Sequence, residues 1–244
     1  MPTNESLKAL AFDTSSNRGS VALLEGGRLR ADLRVDASAA HSEHLLQSVD
    51  FLLGRAGWRL RDLGLVASGL GPGSFTGVRI GVATALGLAQ SLGIPFAGVS
   101  GLDVLARRLA SAAAVPAGVP LAVLLDAHRN QVYFGGYESR GGGGVRQAGK
   151  PALVDLPELG GRLAGVGFAT GDLDGRLLTA LAAARPGMRW VAVDLFLAEG
   201  VGRLALERRR TWRAGEALLA EPLYVRPPDA VKNARKAARK RQGA

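Results

Sequence analysis

The sequence has no cysteine and only three histidines, so disulfides, a thiolate nucleophile and cysteine-ligated zinc are all excluded. His41 and His44 stand three apart at a helix start and could bring two rings to one ion. A zinc or iron site wants a third protein ligand, however, and Glu43 lies off that face; with His128 far away, a helix-terminus role is the simpler reading and no metal is expected. Ser15, Ser16, Ser74 and Ser100 stand in no G-x-S-x-G elbow, which argues against a serine hydrolase. No apolar run approaches the roughly 20 residues a membrane span needs. The N-terminus from Met1 to Lys8 is polar, with no signal-peptide core behind it, so the expectation is a soluble, cytoplasmic chain. Aromatics are scarce at 5%, yet hydrophobic residues reach 47% of 244 residues, which predicts a sizeable core of Leu, Val and Ala.

The net charge of +10 is unevenly spread: Arg226 to Ala244 holds seven Lys or Arg against one Asp, a net of +6, leaving +4 for the rest. Lys232, Arg235, Lys236, Arg239, Lys240 and Arg241 could contact a tRNA backbone through counterion release. No aromatic residue is interleaved for base stacking, so such contact would be non-specific, and a disordered solubilising end fits equally well.

Leu7 to Thr14 reads as a buried strand running into a polar turn at Asp13, Thr14, Ser15 and Ser16. Ser20 to Leu24 and Leu29 to Val35, joined through Glu25-Gly26-Gly27, read as a hairpin. From His41 the period becomes helical, with Leu45, Val49, Leu52 and Leu53 on one stripe and Leu46 beside it. Leu65 to Leu70 is a strand leading through a glycine-rich block into a second helix, Thr76 to Leu92, stopped by Gly93 and Pro95. The opening then recurs. Leu121 to Asp126 is again an apolar run ending in Asp, followed by a paired strand at Val132 to Tyr137, a Gly141 to Gly144 turn and alternating signals to about Arg210. This predicts a duplicated fold with lobes at 1–104 and 105–225 and a disordered basic tail at 226–244.

GPGSFTGVRIG joins a strand to a helix, so Gly73, Ser74 and Thr76, with Arg79, could hold an anion at the helix terminus. A purely structural turn remains the alternative, because neither a Walker A loop nor a GxGxxG order is present. On the helix itself Gly77, Gly81, Ala85 and Ala89 recur every four residues, so another backbone can approach closely. Periodicity leaves open whether that backbone belongs to this chain or to a partner docking on Leu45, Leu46, Val49, Leu52, Leu53, Gly77, Gly81 and Ala85.

Together, LAFDTSSNRGSVALL, AHSEHLLQSVDFLL, GLGPGSFTGVRIGVATALGLAQSLGIPFAGVSGLDVLA, LLDAHRNQVYFGGY and EPLYVR resemble the TsaB (YeaZ) family across about Leu7 to Arg226. The resemblance implies an α/β fold of the two-lobed actin, Hsp70 and sugar-kinase kind, with mixed sheets and flanking helices. It also implies a place in the machinery that puts threonylcarbamoyl on the adenosine beside the tRNA anticodon. In that family a paralogue, TsaD, performs the transfer with a His-x-x-x-His metal motif. Where TsaD has that pair, this chain reads Gly98-Val99-Ser100-Gly101-Leu102-Asp103-Val104-Leu105, without His.

The resemblance therefore implies a non-catalytic scaffold that pairs with TsaD through the two helices, with the ATPase TsaE as third protein. A lone chain would still expose the Leu45, Val49 and Leu53 stripe, so a homodimer through the same helices is expected when it is alone. No cofactor of its own is implied, ATP or ADP at the partner interface being supplied mainly by partner proteins. The competing expectation is an ATP-binding phosphotransferase or ATPase of the same fold, with Asp13, Thr14, Ser15 and Asp126 as its nucleotide site and the two Asp holding magnesium or orienting water. A free-standing RNA-binding protein acting through the tail is weaker, because nothing reads bases.

Overall fold

A computed structural model describes residues 6–36 and 41–208, with the side chains of 41–43 excepted. The N-terminal sheet opens as a meander of β1 (Lys8–Asp13), β2 (Arg18–Glu25) and β3 (Arg28–Asp36), turned at Gly26-Gly27, where both residues take positive φ. Helix α1 (His41–Ala56) leads to β4 (Leu65–Gly69), α2 (Phe75–Leu92) and β5 (Phe96–Val99), giving the order β3-β2-β1-β4-β5. Strand β1 pairs antiparallel with β2 and parallel with β4. It is covered on both faces, which is why it reads as one apolar run and not as an alternation.

Helix α3 (Gly101–Ala112) then crosses to a second sheet. This sheet is built from β6 (Pro120–Asp126), β7 (Gln131–Gly141), β8 (Gly144–Gln147), β9 (Ala152–Asp155), β10 (Phe168–Asp172) and β11 (Arg189–Trp190). Read from β8, its order β8-β7-β6-β10-β11 repeats that of the first sheet, with β6 antiparallel to β7 and parallel to β10. Strand β9 adds to β7 on the side of β8. The repeat expected from the two Asp-terminated strands is thus present in the five-strand order, with β9 an addition that the first sheet lacks.

Side-chain alternation sorts the layers. Leu10 and Phe12 of β1 face Leu45, Val49, Leu52 and Leu53 of α1 and Val78, Val82, Ala85 and Ala89 of α2. Ala9 and Ala11 face the opposite way, onto a core shared with α3, with α6 (Ala198–Glu207) and with Leu121, Val123 and Tyr137 of the second sheet. The outer face of that sheet is closed around Leu124, Val132, Leu159 and Leu181, from α4 (Leu156–Arg162) and α5 (Gly175–Ala184) among others. The result is helices outside, sheet, helices, sheet, helices outside. A boundary between 104 and 105 falls inside α3, and α6, late in the chain, packs back on β1 and β2, so the lobes interlock through two shared helices.

Candidate functional site

The site with most sequence signal lies where β1, β4 and α2 meet. Ser74 caps α2 by accepting from the Gly77 N–H at 3.2 Å, while its own N–H donates to the Ser15 carbonyl at 2.7 Å. Thr14 Oγ1 donates to the Gly77 carbonyl at 2.7 Å. A Cβ on Gly73 would stand 2.0 Å from the Ser15 carbonyl oxygen, and one on Gly77 2.0 Å from that of Thr14. On Gly81 it would meet Thr14 Oγ1 at 2.5 Å and Ser68 Oγ at 3.1 Å. The glycines thus make room for the Thr14–Ser15 turn of the same chain.

That settles which backbone the small-residue stripe admits. Gly77 and Gly81 are filled by Thr14 and Ser68, and Ala85 is buried in the core under α2. Leu45, Val49, Leu52 and Leu53 likewise point inward, onto β2 and β3, so these four and Ala85 sit in the core of this chain, while Gly81 is buried and Gly77 stays partly exposed. The physical reason is that both helices cover a sheet, which claims their apolar stripes first. Leu46 is the large side chain of the proposed interface that faces outward, at 54% exposure; Phe51 at 58% and Phe75 at 37% are exposed too, and stand off the main stripe where periodicity does not mark them.

The anion-binding reading of Gly73, Ser74, Thr76 and Arg79 meets the same turn. The Ser74 hydroxyl is committed to its cap and the Ser74 amide to Ser15, while Arg79 stacks over the Phe75 ring at 3.7 Å. Asp13 is fully buried: its Oδ1 accepts from the Ser15 amide at 3.1 Å and hydroxyl at 2.8 Å, and its Oδ2 lies where a Gly69 Cβ would stand. Thr14 and Ser15 are spent on these contacts.

Asp126, its counterpart in the second sheet, is more open. It accepts from the His128 amide at 2.7 Å and lies 3.3 Å from His128 Nδ1, in a turn where His128, Arg129 and Asn130 all take left-handed φ of 55–60°. Among the described residues no three His, Asp or Glu side chains converge as a metal site would require. No described helix is long and apolar enough to cross a membrane. Lys232, Arg235, Lys236, Arg239, Lys240 and Arg241, with the whole tail 226–244, lie outside the described residues.

Two mixed sheets of repeated topology, each with an Asp-terminated central strand and with helices between and outside them, define a two-lobed α/β protein. A family model for TsaD, tRNA N6-adenosine threonylcarbamoyltransferase, matches residues 35–162. The tRNA threonylcarbamoyladenosine biosynthesis protein TsaB of Escherichia coli (strain K12) is 35% identical over 63% of this chain and 64% of its own. That of Bacillus subtilis (strain 168) is 36% identical over 54% and 56%. The solved YeaZ from Pseudomonas aeruginosa superposes with a TM-score of 0.69 at 33% identity, covering 89% of this chain and 99% of that one. The chain belongs to the TsaB (YeaZ) family. It spans between about half and two thirds of the length of the curated TsaB relatives it matches. Another solved relative, 34% identical with a TM-score of 0.70, is described as similar to a peptidase.

Proposed function

We propose that this chain serves tRNA threonylcarbamoyladenosine synthesis as a non-catalytic subunit that docks on TsaD. The observation that carries the reading is the exposed apolar group of Leu46, Phe51 and Phe75 on α1 and at the start of α2, the exposed large hydrophobics among the described residues. Exposed apolar side chains on two helices are what a helix-to-helix interface uses as its anchors. Relatives named for this biosynthesis and a TsaD family model spanning both helices support this choice of partner. On this reading TsaE joins the complex, tRNA is met through the assembly, ATP or ADP is held mainly by the partner proteins, and a lone chain pairs with a second copy through the same helices.

The phosphotransferase alternative draws support from the Asp at the end of each central strand. Against it, Asp13 is buried and engaged with Ser15. The peptidase description of one relative finds no G-x-S-x-G serine and no cysteine in this sequence.

The test is co-purification of tagged chain with TsaD. Leu46→Asp combined with Phe51→Asp should abolish pairing while shifting the unfolding of the free chain by no more than about 0.5 kcal/mol, because both side chains are exposed. Undiminished pairing by the folded double variant would refute the docking surface.

A further inference from the structure

Arg18 and Asp172 join the two lobes at the ends of their sheets. Arg18 is the first residue of β2, in register with Asp36, and its N–H donates to Ser16 Oγ at 3.2 Å. Asp172 is the last residue of β10, in register with Leu125 of β6, and its neighbour Gly171 lies so close to β6 that a Cβ would stand 1.7 Å from the Leu124 carbonyl oxygen. Both side chains are therefore mounted on strands and not on free loops, and the Arg18 guanidinium bonds directly to the Asp172 carboxylate. The pair lies at the same end of the sheets as Asp13 and Asp126, where the two lobes face each other. Its side chains keep 32% and 42% of their exposure, so salt reaches it.

We infer that the Arg18–Asp172 ion pair is a latch that closes the lobes at the Asp-terminated ends of their central strands, and that the Thr14–Ser15 turn carries the state of this latch to the N-terminus of α2. The second part follows from covalent and hydrogen-bonded continuity. Arg18 comes three residues after Ser15, whose carbonyl accepts from the Ser74 amide at 2.7 Å, and Thr14 donates to Gly77 at 2.7 Å. A movement of Arg18 that follows the second lobe pulls on that turn and hence on the first turn of α2. A partly exposed pair suits a latch because it is weak enough to open on the time scale of domain motion. The inference deepens the docking reading, since Phe75 follows Ser74. Both readouts below use the free chain, so the latch and the pairing with TsaD can each fail alone.

The sequence has no cysteine, so Asp36→Cys and Arg176→Cys provide two clean spin-label sites on exposed positions flanking the latch. Labelled full-length chain diluted in unlabelled chain reports the interlobe distance by pulsed electron resonance. Arg18→Gln and Asp172→Asn should each lengthen and broaden that distance, the exchanged pair Arg18→Asp with Asp172→Arg should restore it, and 1 M salt should reproduce the opening. Hydrogen exchange at the Ser74 amide should quicken severalfold in both single variants. Unchanged distances in both, or failure of the exchanged pair to restore them, would overturn the latch. Unchanged exchange at Ser74 would overturn its coupling to α2. The salt response of the labelled chain with Arg18 and Asp172 in place decides the first part should a variant fail to fold.

Discussion

Replacing Gly77 by alanine tests the central claim that the small stripe on α2 receives a turn of its own chain. The added Cβ would stand 2.0 Å from the Thr14 carbonyl oxygen, and real Cβ contacts do not fall below 3.0 Å, so the turn must retreat by about 1 Å. Such a retreat stretches the Thr14 Oγ1 to Gly77 and Ser74 to Ser15 hydrogen bonds, both 2.7 Å, beyond bonding range. Overpacking costs about 1–3 kcal/mol and the two bonds about 1 kcal/mol each, offset by at most about 1 kcal/mol from alanine's better helix propensity. The net expectation is a loss of about 2–4 kcal/mol, or roughly 5–15 °C in Tm. Gly87 provides the control on the same helix: a Cβ there meets nothing within 4 Å. Gly87→Ala should therefore raise Tm by roughly 2–4 °C. Thermal unfolding followed by circular dichroism reads both. Equal stabilisation by the two substitutions would mean the Thr14–Ser15 turn is not seated on α2, and the stripe would be free for an outside helix after all.

Further expectations concern the joins between lobes and the tail. The buried Tyr137 hydroxyl donates to Asp103 Oδ1 at 2.9 Å, linking β7 to α3, so Tyr137→Phe should cost about 1–3 kcal/mol in denaturant titration at neutral pH. Burial, reinforced by Asp103, pushes that hydroxyl's pKa far up. The stability it confers is thus complete below the ordinary tyrosine value near 10 and is lost above it, so the gap between wild type and Tyr137→Phe should close by about 1.4 kcal/mol per pH unit beyond that point. Ser20 Oγ accepts from the Ala198 amide at 3.0 Å and so caps α6 from β2; Ser20→Ala should destabilise by about 1–2 kcal/mol in the same titration. Truncation after Arg226 should weaken tRNA binding by the assembled complex equally for cognate and non-cognate tRNA. The salt slope should fall by up to about 0.9 per phosphate contact removed, and identical filter-binding curves would take the tail out of the mechanism.

The parts of the fold legible in the sequence are those whose signal is local. Buried central strands announce themselves as unbroken apolar runs at Leu7 to Thr14 and Leu121 to Asp126, and the left-handed Gly93 ends α2 where sequence placed its stop. The nature of the small stripe was also legible, because volume is written in residue type. Its occupant was not: Thr14 is 63 residues from Gly77, and a glycine accommodates a turn of its own chain as readily as a partner's helix. Helix α6 packs on β1 across almost the whole chain, and the sequence shows it only as part of an alternation of signals before Arg210. The Arg18–Asp172 pair spans 154 positions, and nothing in either neighbourhood marks it.

The two lobes share a plan yet use its key position differently, and that asymmetry bears on what the chain can present. In the second lobe Asp126 keeps partial access to solvent beside His128. In the first, Asp13 is turned inward against Gly69 and tied to Ser15, and the turn beyond it is clamped on α2 through Ser74 and Gly77. The first lobe's strand-end residues thus serve to fix α2 and not to stand open. Fixing α2 also fixes Phe75 at its first position, and a surface held in its bound geometry beforehand loses less freedom on association. The glycine stripe would then serve docking without touching the partner, by seating the turn that holds the helix. This separates two outcomes for Gly77→Ala. A variant that loses stability and TsaD pairing together fits the clamp, whereas one that loses pairing at full stability would return the stripe to the outer surface.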